Sequence, residues 1–311
     1  MTSKIQYRAG YAHLGGVDLA VFRWGGPGLG NLLFPWARCV IWTERSGVPM
    51  LAPVWPQLKL GPLLRGERDL RGYAHHFQAA PGDIGGLSRL FLLGSCKQSD
   101  EDGQTLSSGL GSTGEIVRFS GLRDYFGSLR GASGLLLRRL RQIVQPGLVP
   151  EPLAPGTLAV HFRCGDFRPA TKDEESGFLQ QGLPNQVRIP LPQLVRAVQD
   201  VREVVGQVPV RVYSDGADEE IGALLALPDA VRAPRRAAIS DLLEMATASL
   251  LIQAPHSTFS MWGAFLGDVP TIGFPEAGGR CYGWKPFTRA LDSDERRQML
   301  RATIQAAQRN S

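Results

Sequence analysis

Three short stretches carry residues that could hold an anion. The first is Ala159-Val160-His161-Phe162-Arg163-Cys164-Gly165-Asp166. Read as a strand, it sends His161 and Arg163 to one face at the carboxyl end, where Gly165 turns the chain. A guanidinium there is a forked, permanently charged donor suited to phosphate oxygens. The same spacing also fits an Arg163–Asp166 surface pair beside a packed histidine. The second stretch, Ser240-Asp241-Leu242-Leu243-Glu244, opens an apolar helix with Asp241 and Glu244 spaced as a capping pair. The third is Pro255-His256-Ser257-Thr258-Phe259-Ser260-Met261-Trp262-Gly263, delivered by the buried strand SLLIQA to a helix start. Unpaired amides and the helix dipole favour an anion at such a place, and Ser257, Thr258 and Ser260 add hydroxyls. Ordinary N-capping by one of those hydroxyls accounts for the same residues equally well.

Strands and helices must bring these stretches together. Residues 17–24 alternate as a strand, run into Gly25-Gly26-Pro27-Gly28-Leu29-Gly30, and continue as an apolar helix to about Arg45. Residues 97–115 are polar and rich in glycine and serine, as surface loops are. A short strand is expected near 116–119 and a helix over 132–144. That helix has a leucine side for a core and an arginine side, which leaves room for peripheral contact with anionic lipid. Four prolines between Pro146 and Pro155 mark a boundary between domains 1–150 and 151–311. Beyond it, strands at 157–163, 208–214, 250–254 and 271–274 alternate with helices near 191–205, from Asp218, from Asp241 and from about Ser260. Repeated βα units imply a parallel, doubly wound sheet, whose ligands sit at the carboxyl ends of the strands.

Composition narrows the classes. The chain has 311 residues, 43% of them hydrophobic, enough for two ordinary cores. The formal charge of +5 is modest and its basic residues are dispersed, which suits an anionic ligand and argues against nucleic acid. Cys39, Cys96, Cys164 and Cys281 lie far apart without ligand spacing, so free thiols in a reducing cytoplasm are expected, and no zinc site. The opening residues lack the apolar core of a signal peptide, and no stretch of about 18 apolar residues could span a membrane. The glycine turn runs Gly26-x-Gly28-x-Gly30 with Asn31 where a dinucleotide fingerprint sets its third glycine. The sequence contains no phosphate-loop, GxSxG or HExxH motif.

In collinear order, these residues resemble the α1,2-fucosyltransferase family (glycosyltransferase family 11), within the wider group of GDP-fucose-dependent enzymes. Residues 26–34 resemble the family's GGLGNQxF opening, and 119–126 its GYxQSxxYF segment. His161 to Asp166 resembles HxRRGD, and Val212-Tyr213-Ser214-Asp215 the FSDD strand end. Asp241 to Met245, then Ser257 to Leu266, resemble DLxLM and NSTFSWWGAWL. The departures are Cys164 for the second arginine, Leu32 for glutamine, His256 for asparagine and Met261 for tryptophan.

The resemblance implies an α/β fold of two Rossmann-like domains facing a cleft (GT-B-like). The parallel sheet of the C-terminal half would hold GDP-fucose, and the N-terminal half would serve the glycan acceptor. It implies an inverting transfer of fucose to a glycan hydroxyl without metal or other cofactor. Arg163 would hold the diphosphate, His161 would orient the nucleotide or fucose, and Asp241 would meet the guanine or ribose. Thr258, Phe259 and Ser260, flanked by Ser257, would bind phosphate, and Gly28, Gly30 and Asn31 would approach it from the other half. Asp166 is the candidate base, with Asp173 or Glu174 as substitutes. A transferase of another nucleotide sugar, or a noncatalytic GDP- or glycan-binding relative, is the alternative.

Overall fold

In the computed structural model, residues 9–64, 71–101 and 114–274 are described, with isolated positions 294, 298, 301, 302 and 305 beyond them. The chain divides into two compact units between Val149 and Pro150.

The first unit is built on β1 (Ala9–His13), which the sequence reading passed over. Its small residues are there for α1 (Leu29–Ser46), because a Cβ at Gly10 would stand 2.7 Å from Thr43 Cγ2. Residues 17–24 do not form one strand. They fold back as β2 (Val17–Asp18) against β3 (Arg23–Trp24), antiparallel, and β3 then pairs with β5 (Gln57–Leu58). The turn is fastened by Asp18, whose Oδ1 accepts the Ala20 amide at 2.9 Å. The main sheet, all parallel, runs β4 (Met50–Leu51), β1, β7 (Ile116–Ser120), β6 (Gln98–Asp100). Gln98–Asp100 is thus a strand and not part of a loop, while residues 102–113 of that stretch lie outside the described residues. Helices α2 (Leu60–Leu64) and α3 (Gly86–Ser95) follow β5, and α4 (Ser133–Ile143) follows β7. The leucine side of α4 is buried through Leu136, Leu140 and Ile143.

Among the buried arginines of this unit, Arg23 and Arg38 gather several loop carbonyls each. Arg23 donates to the carbonyls of Leu14, Gly15, Val54 and Trp55 and to Gln57 Oε1, and burial pulls its pKa down to about 10. It lies under the glycine turn, where Gly26 has φ 117° and a Cβ would sit 2.8 Å from Arg23 Nη1. Only glycine suits both conditions. Arg38 is the second, paired with buried Glu101 at 2.8 Å and donating to the Ser120 and Gly121 carbonyls.

The second unit has a five-stranded parallel sheet. Its order is β10 (Ala230–Arg232), β9 (Val210–Ser214), β8 (Leu158–Phe162), β11 (Leu250–Ile252), β12 (Thr271–Ile272). In sequence numbering this is 3-2-1-4-5, the arrangement of a Rossmann half. Leu158, Val160 and Phe162 face one core with Leu194, Val198 and Val201 of α6 (Leu191–Val205). Ala159 and Leu251 face the other with Met245 of α8 (Ala238–Met245) and Ala264 of α9 (Thr258–Gly267). Two glycines let α9 approach α8. A Cβ at Gly263 would stand 2.9 Å from Met245 Cβ, and one at Gly267 would drive into the Ala246 carbonyl.

Helix α5 (Lys172–Gln181) opens with a capping box, Thr171 and Glu174 bonding reciprocally to each other's amides. Two helix starts differ from expectation. No helix begins at Asp218; successive turns lead into α7 (Gly222–Leu225). Helix α8 begins at Ala238 with Ala237 as its cap, so Asp241 lies inside the first turn and caps nothing. Among the described residues no helix is long and apolar enough to cross a membrane.

Candidate functional site

Strand β8 is flanked by β9 on one side and β11 on the other. The chain leaves β8 toward β9 and β10, and later crosses to lay β11 and β12 on the opposite side. The carboxyl ends of β8 and β11 therefore form the switch point at which doubly wound sheets open a ligand crevice. Residues 163–167 follow β8 there, and residues 253–260 follow β11.

Arg163 stands one residue beyond β8. Its Nη2 donates to Asp166 Oδ1 at 2.6 Å, and its Nη1 donates to Asp215 Oδ2. The other oxygen of Asp215 accepts the Cys164 amide at 2.6 Å. The pairing with Asp166 expected as the plain structural alternative is present, with Asp215 as a further partner. One guanidinium between two carboxylates leaves the group of three net negative.

Two more arginines hold those carboxylates in place. Residues 164–167 form a turn closed by the Phe167 amide on the Cys164 carbonyl at 2.8 Å. Arg188 Nε donates to the Phe167 carbonyl at 2.6 Å and the Cys164 carbonyl at 3.2 Å, and its Nη1 donates to Glu220. Arg232 donates to the carbonyls of Ser214 and Gly216 on either side of Asp215, and pairs with Asp218. The Cys164 side chain, 1% exposed, points into the apolar core against Gly216. Burial pushes its thiol up to about 11, so it is a packing residue and not a thiolate.

His161 is buried on β8, with its ring 5.6 Å from that of Phe259 at the start of α9. The contact ties the β8 side of the crevice to the β11 side. Burial, aided by Arg163 and opposed by Asp215, lowers the imidazole to about 4, so it is neutral at physiological pH. A neutral ring orients a ligand by hydrogen bonding and supplies no charge to a phosphate.

Helix α9 starts where the sequence places an anion site. Ser257 is its cap residue by backbone geometry and makes no side-chain cap bond. At this end a helical bond runs from the Met261 amide to the Ser257 carbonyl at 3.3 Å, so the first-turn amides point out of the helix end. The Ser260 hydroxyl is buried and donates back to the Ser257 carbonyl at 3.3 Å, so its outward offering is its backbone. His256, with φ 55°, donates from Nε2 to the Leu183 carbonyl at 2.8 Å and anchors the loop before the helix.

Asp241 faces Arg236, whose Nε donates to Asp241 Oδ1 at 2.9 Å. Burial lifts its carboxyl to about 6, although Arg236 pulls the other way. Arg236 also pairs with Glu244 at 2.6 Å, and Glu244 accepts the buried Tyr213 hydroxyl at 2.5 Å. Asp241 is thus fastened to β9 through a network of three side chains.

His161, Arg163, Asp166, Asp241 and residues 257–260 all lie at the carboxyl edge of one sheet. Gly28, Gly30 and Asn31 belong to the first unit, at the start of α1. Gly28 is the cap residue and Asn31 donates its amide to the Gly28 carbonyl at 3.0 Å. Asp173 and Glu174 sit in the first turn of α5, with Glu174 engaged by Arg168. The sequence reading assigned no part to Asp215, Arg188, Arg232, Arg236 or Gln253. Asp215 was within reach of the strand-end rule, and Gln253 stands out as the one amide in the apolar run LLIQA.

By sequence, the chain matches no protein-family model and no curated protein. By structure it is similar to the fucosyltransferase NodZ from Bradyrhizobium, at 14% identity and a TM-score of 0.51, covering 88% of this chain and 97% of that one. The NodZ α-1,6-fucosyltransferase co-crystallised with GDP matches with the same values. The chain shares its fold with that enzyme. It is an α/β fold with parallel sheets of the GT-B-like kind found in fucosyltransferases.

Proposed function

We propose that the chain is a glycosyltransferase of the GDP-fucose-dependent superfamily, moving fucose from GDP-fucose to a glycan hydroxyl with inversion, in α1,2 linkage and without a metal. The observation that carries this reading is the convergence of Arg163 and the α9 amino terminus on the β8/β11 switch point. A structurally similar fucosyltransferase crystallised with GDP supports the same nucleotide here.

In this reading the diphosphate takes Arg163 from Asp166 or Asp215 and lies against the first-turn amides of α9. These groups stabilise the charge that grows on GDP as the bond from fucose C1 to the phosphate oxygen breaks. The acceptor oxygen attacks C1 from the opposite face, and its proton passes to the Asp166 carboxylate. Asp241 accepts hydrogen bonds from the guanine or ribose, and His161 orients the donor. Residues 151–311 serve the donor and residues 1–150 the acceptor.

The test is thermal stabilisation by GDP, UDP, ADP and CMP in excess EDTA, on the native chain and Arg163→Ala. A ligand at about a hundred times its Kd adds roughly 2.7 kcal/mol. GDP-selective stabilisation that survives EDTA and vanishes in the variant is expected, with GDP-fucose turnover as the next measurement. Preference for another nucleotide would move the reading to a different sugar donor. GDP binding without turnover would make the chain a noncatalytic relative.

A further inference from the structure

The mechanism above leaves one buried group unused. Gln253, the residue after β11, is 2% exposed, and its Nε2 has no hydrogen-bond partner among the described residues. The register of β11 on β8 pairs Leu250 with Leu158, Leu251 with Ala159 and Ile252 with Val160. One further step sets Gln253 beside His161. Ala159 and Leu251 face the same core, so the alternation of side chains puts His161 and Gln253 on that face too, at its carboxyl end. His161, 5% exposed, likewise has a buried Nδ1 without a partner. The register therefore makes His161 and Gln253 neighbours at the switch point, each with a buried polar atom that has no partner among the described residues, and His161 lies against Phe259 at the start of α9.

A buried donor left unpaired is costly, on the order of 1–3 kcal/mol, and native folds rarely keep two together without use. Their chemistry selects a partner. Gln253 Nε2 can only donate, whereas the neutral imidazole of His161, in the tautomer with its proton on Nε2, accepts at Nδ1. A hydroxyl satisfies both at once, because its oxygen accepts from Gln253 while its proton goes to His161. A phosphate oxygen or a carbonyl only accepts, and so answers one of the two.

We infer that Gln253 and His161 together form a recognition site for one sugar hydroxyl of the nucleotide-sugar donor, with Gln253 as a specificity-determining residue. This rests on the nucleotide-binding reading above. The hydroxyl belongs either to the ribose or to the transferred hexose.

The experiment uses the full chain and Gln253→Leu, with GDP, 2′-deoxy-GDP, 3′-deoxy-GDP and GDP-fucose as probes. The ligand-free variant is expected to melt at a higher temperature than the native chain, since leucine removes the unsatisfied Nε2 donor. The native chain is expected to bind one of the deoxy forms at least tenfold more weakly than GDP if the ribose supplies the hydroxyl. If the hexose supplies it, the native chain instead gains at least tenfold from GDP to GDP-fucose. The variant loses that discrimination in either case. A lower melting temperature for Gln253→Leu would show the amide to be bonded within the fold and overturn the proposal. Unchanged discrimination in the variant would overturn it as well. If the native chain ignores GDP, the nucleotide reading fails first. The same comparison with UDP and ADP and their deoxy forms then decides whether Gln253 reads a hydroxyl at all.

Discussion

Arg163 and Asp166 are joined at 2.6 Å, so the candidate phosphate cation and the candidate base share one ion pair. Each restrains the other. Asp166→Asn is therefore expected to bind GDP as well as the native chain or a few-fold more tightly, because Arg163 loses a competitor. Its turnover is expected to fall by about 10²–10⁴, the usual share of general base catalysis. Calorimetric GDP affinity beside the transfer rate gives the answer. Parallel losses in both would assign Asp166 to binding.

His161 and Asp241 give stability opposite pH dependences. His161 stays neutral in the fold down to about 4, while the unfolded chain takes up its proton near 6.5. Its contribution is intact above pH 6.5 and is lost as the pH falls toward 4, by roughly 3 kcal/mol. Asp241, raised from 3.8 to about 6, behaves in reverse. The fold holds its proton where the unfolded chain has released it, so stability declines by roughly 3 kcal/mol as the pH rises from 4 through 6. Urea unfolding from pH 4 to 7, comparing native with His161→Phe and with Asp241→Asn, should give difference curves of opposite slope.

The same ionisation bears on the nucleotide. Asp241 accepts N–H or O–H donors best as a carboxylate. GDP affinity of the native chain should rise as the pH climbs through about 6, and the rise should vanish in Asp241→Asn. An identical profile in both would remove Asp241 from the nucleotide.

In the first unit, Arg38→Met leaves Glu101 buried with, among the described residues, the Ser120 amide and the half-exposed Arg123 to meet it. Removing one partner of a buried pair costs about 3 kcal/mol or more. Arg38→Met/Glu101→Leu should recover part of that loss, because no charge then remains buried. Thermal unfolding of the two variants measures the difference.

Gly267→Ala should be among the most damaging small substitutions in the second unit. The added carbon meets the Ala246 carbonyl, which is backbone and cannot rotate away. The α8–α9 contact must open, and destabilisation of about 3 kcal/mol is expected, with weaker GDP binding if α9 holds the phosphate as proposed. Gly134→Ala, which meets only the tip of Arg138 at 3.7 Å, is the matched control.

Much of the second unit was legible because its strands are apolar runs and its helices carry clear periodicity. The reading of α6 as 191–205 matches its bounds, since Pro190 and Gly206 punctuate both ends. The first unit resisted for physical reasons. Ala9–His13 shows no β-branched pattern because helix packing at Gly10 demands small side chains. Residues 17–24 look like one strand because alternation is indifferent to a fold-back at Ala20, whose φ of 72° no pattern announces. At the site, the strand-end rule located His161, Arg163 and the α9 start. The spacing of Arg163 and Asp166 announced their pair but not the one with Asp215, which lies 52 residues along the chain, just past β9. Gln253 was hidden for a different reason: that its Nε2 lacks a partner among the described residues is visible only in the fold.

The strand order has a consequence in time. Strand β8 pairs with β9 and with β11, yet roughly ninety residues separate its end from the start of β11. At about 5–20 residues per second of synthesis, β8 waits on the order of ten seconds with one edge bare before its second neighbour leaves the ribosome. An exposed parallel edge of Leu, Val and Phe invites pairing with other chains during that interval. Slower translation between codons 215 and 250 should therefore lower the yield of folded protein, and a chaperone that shields β8 should restore it.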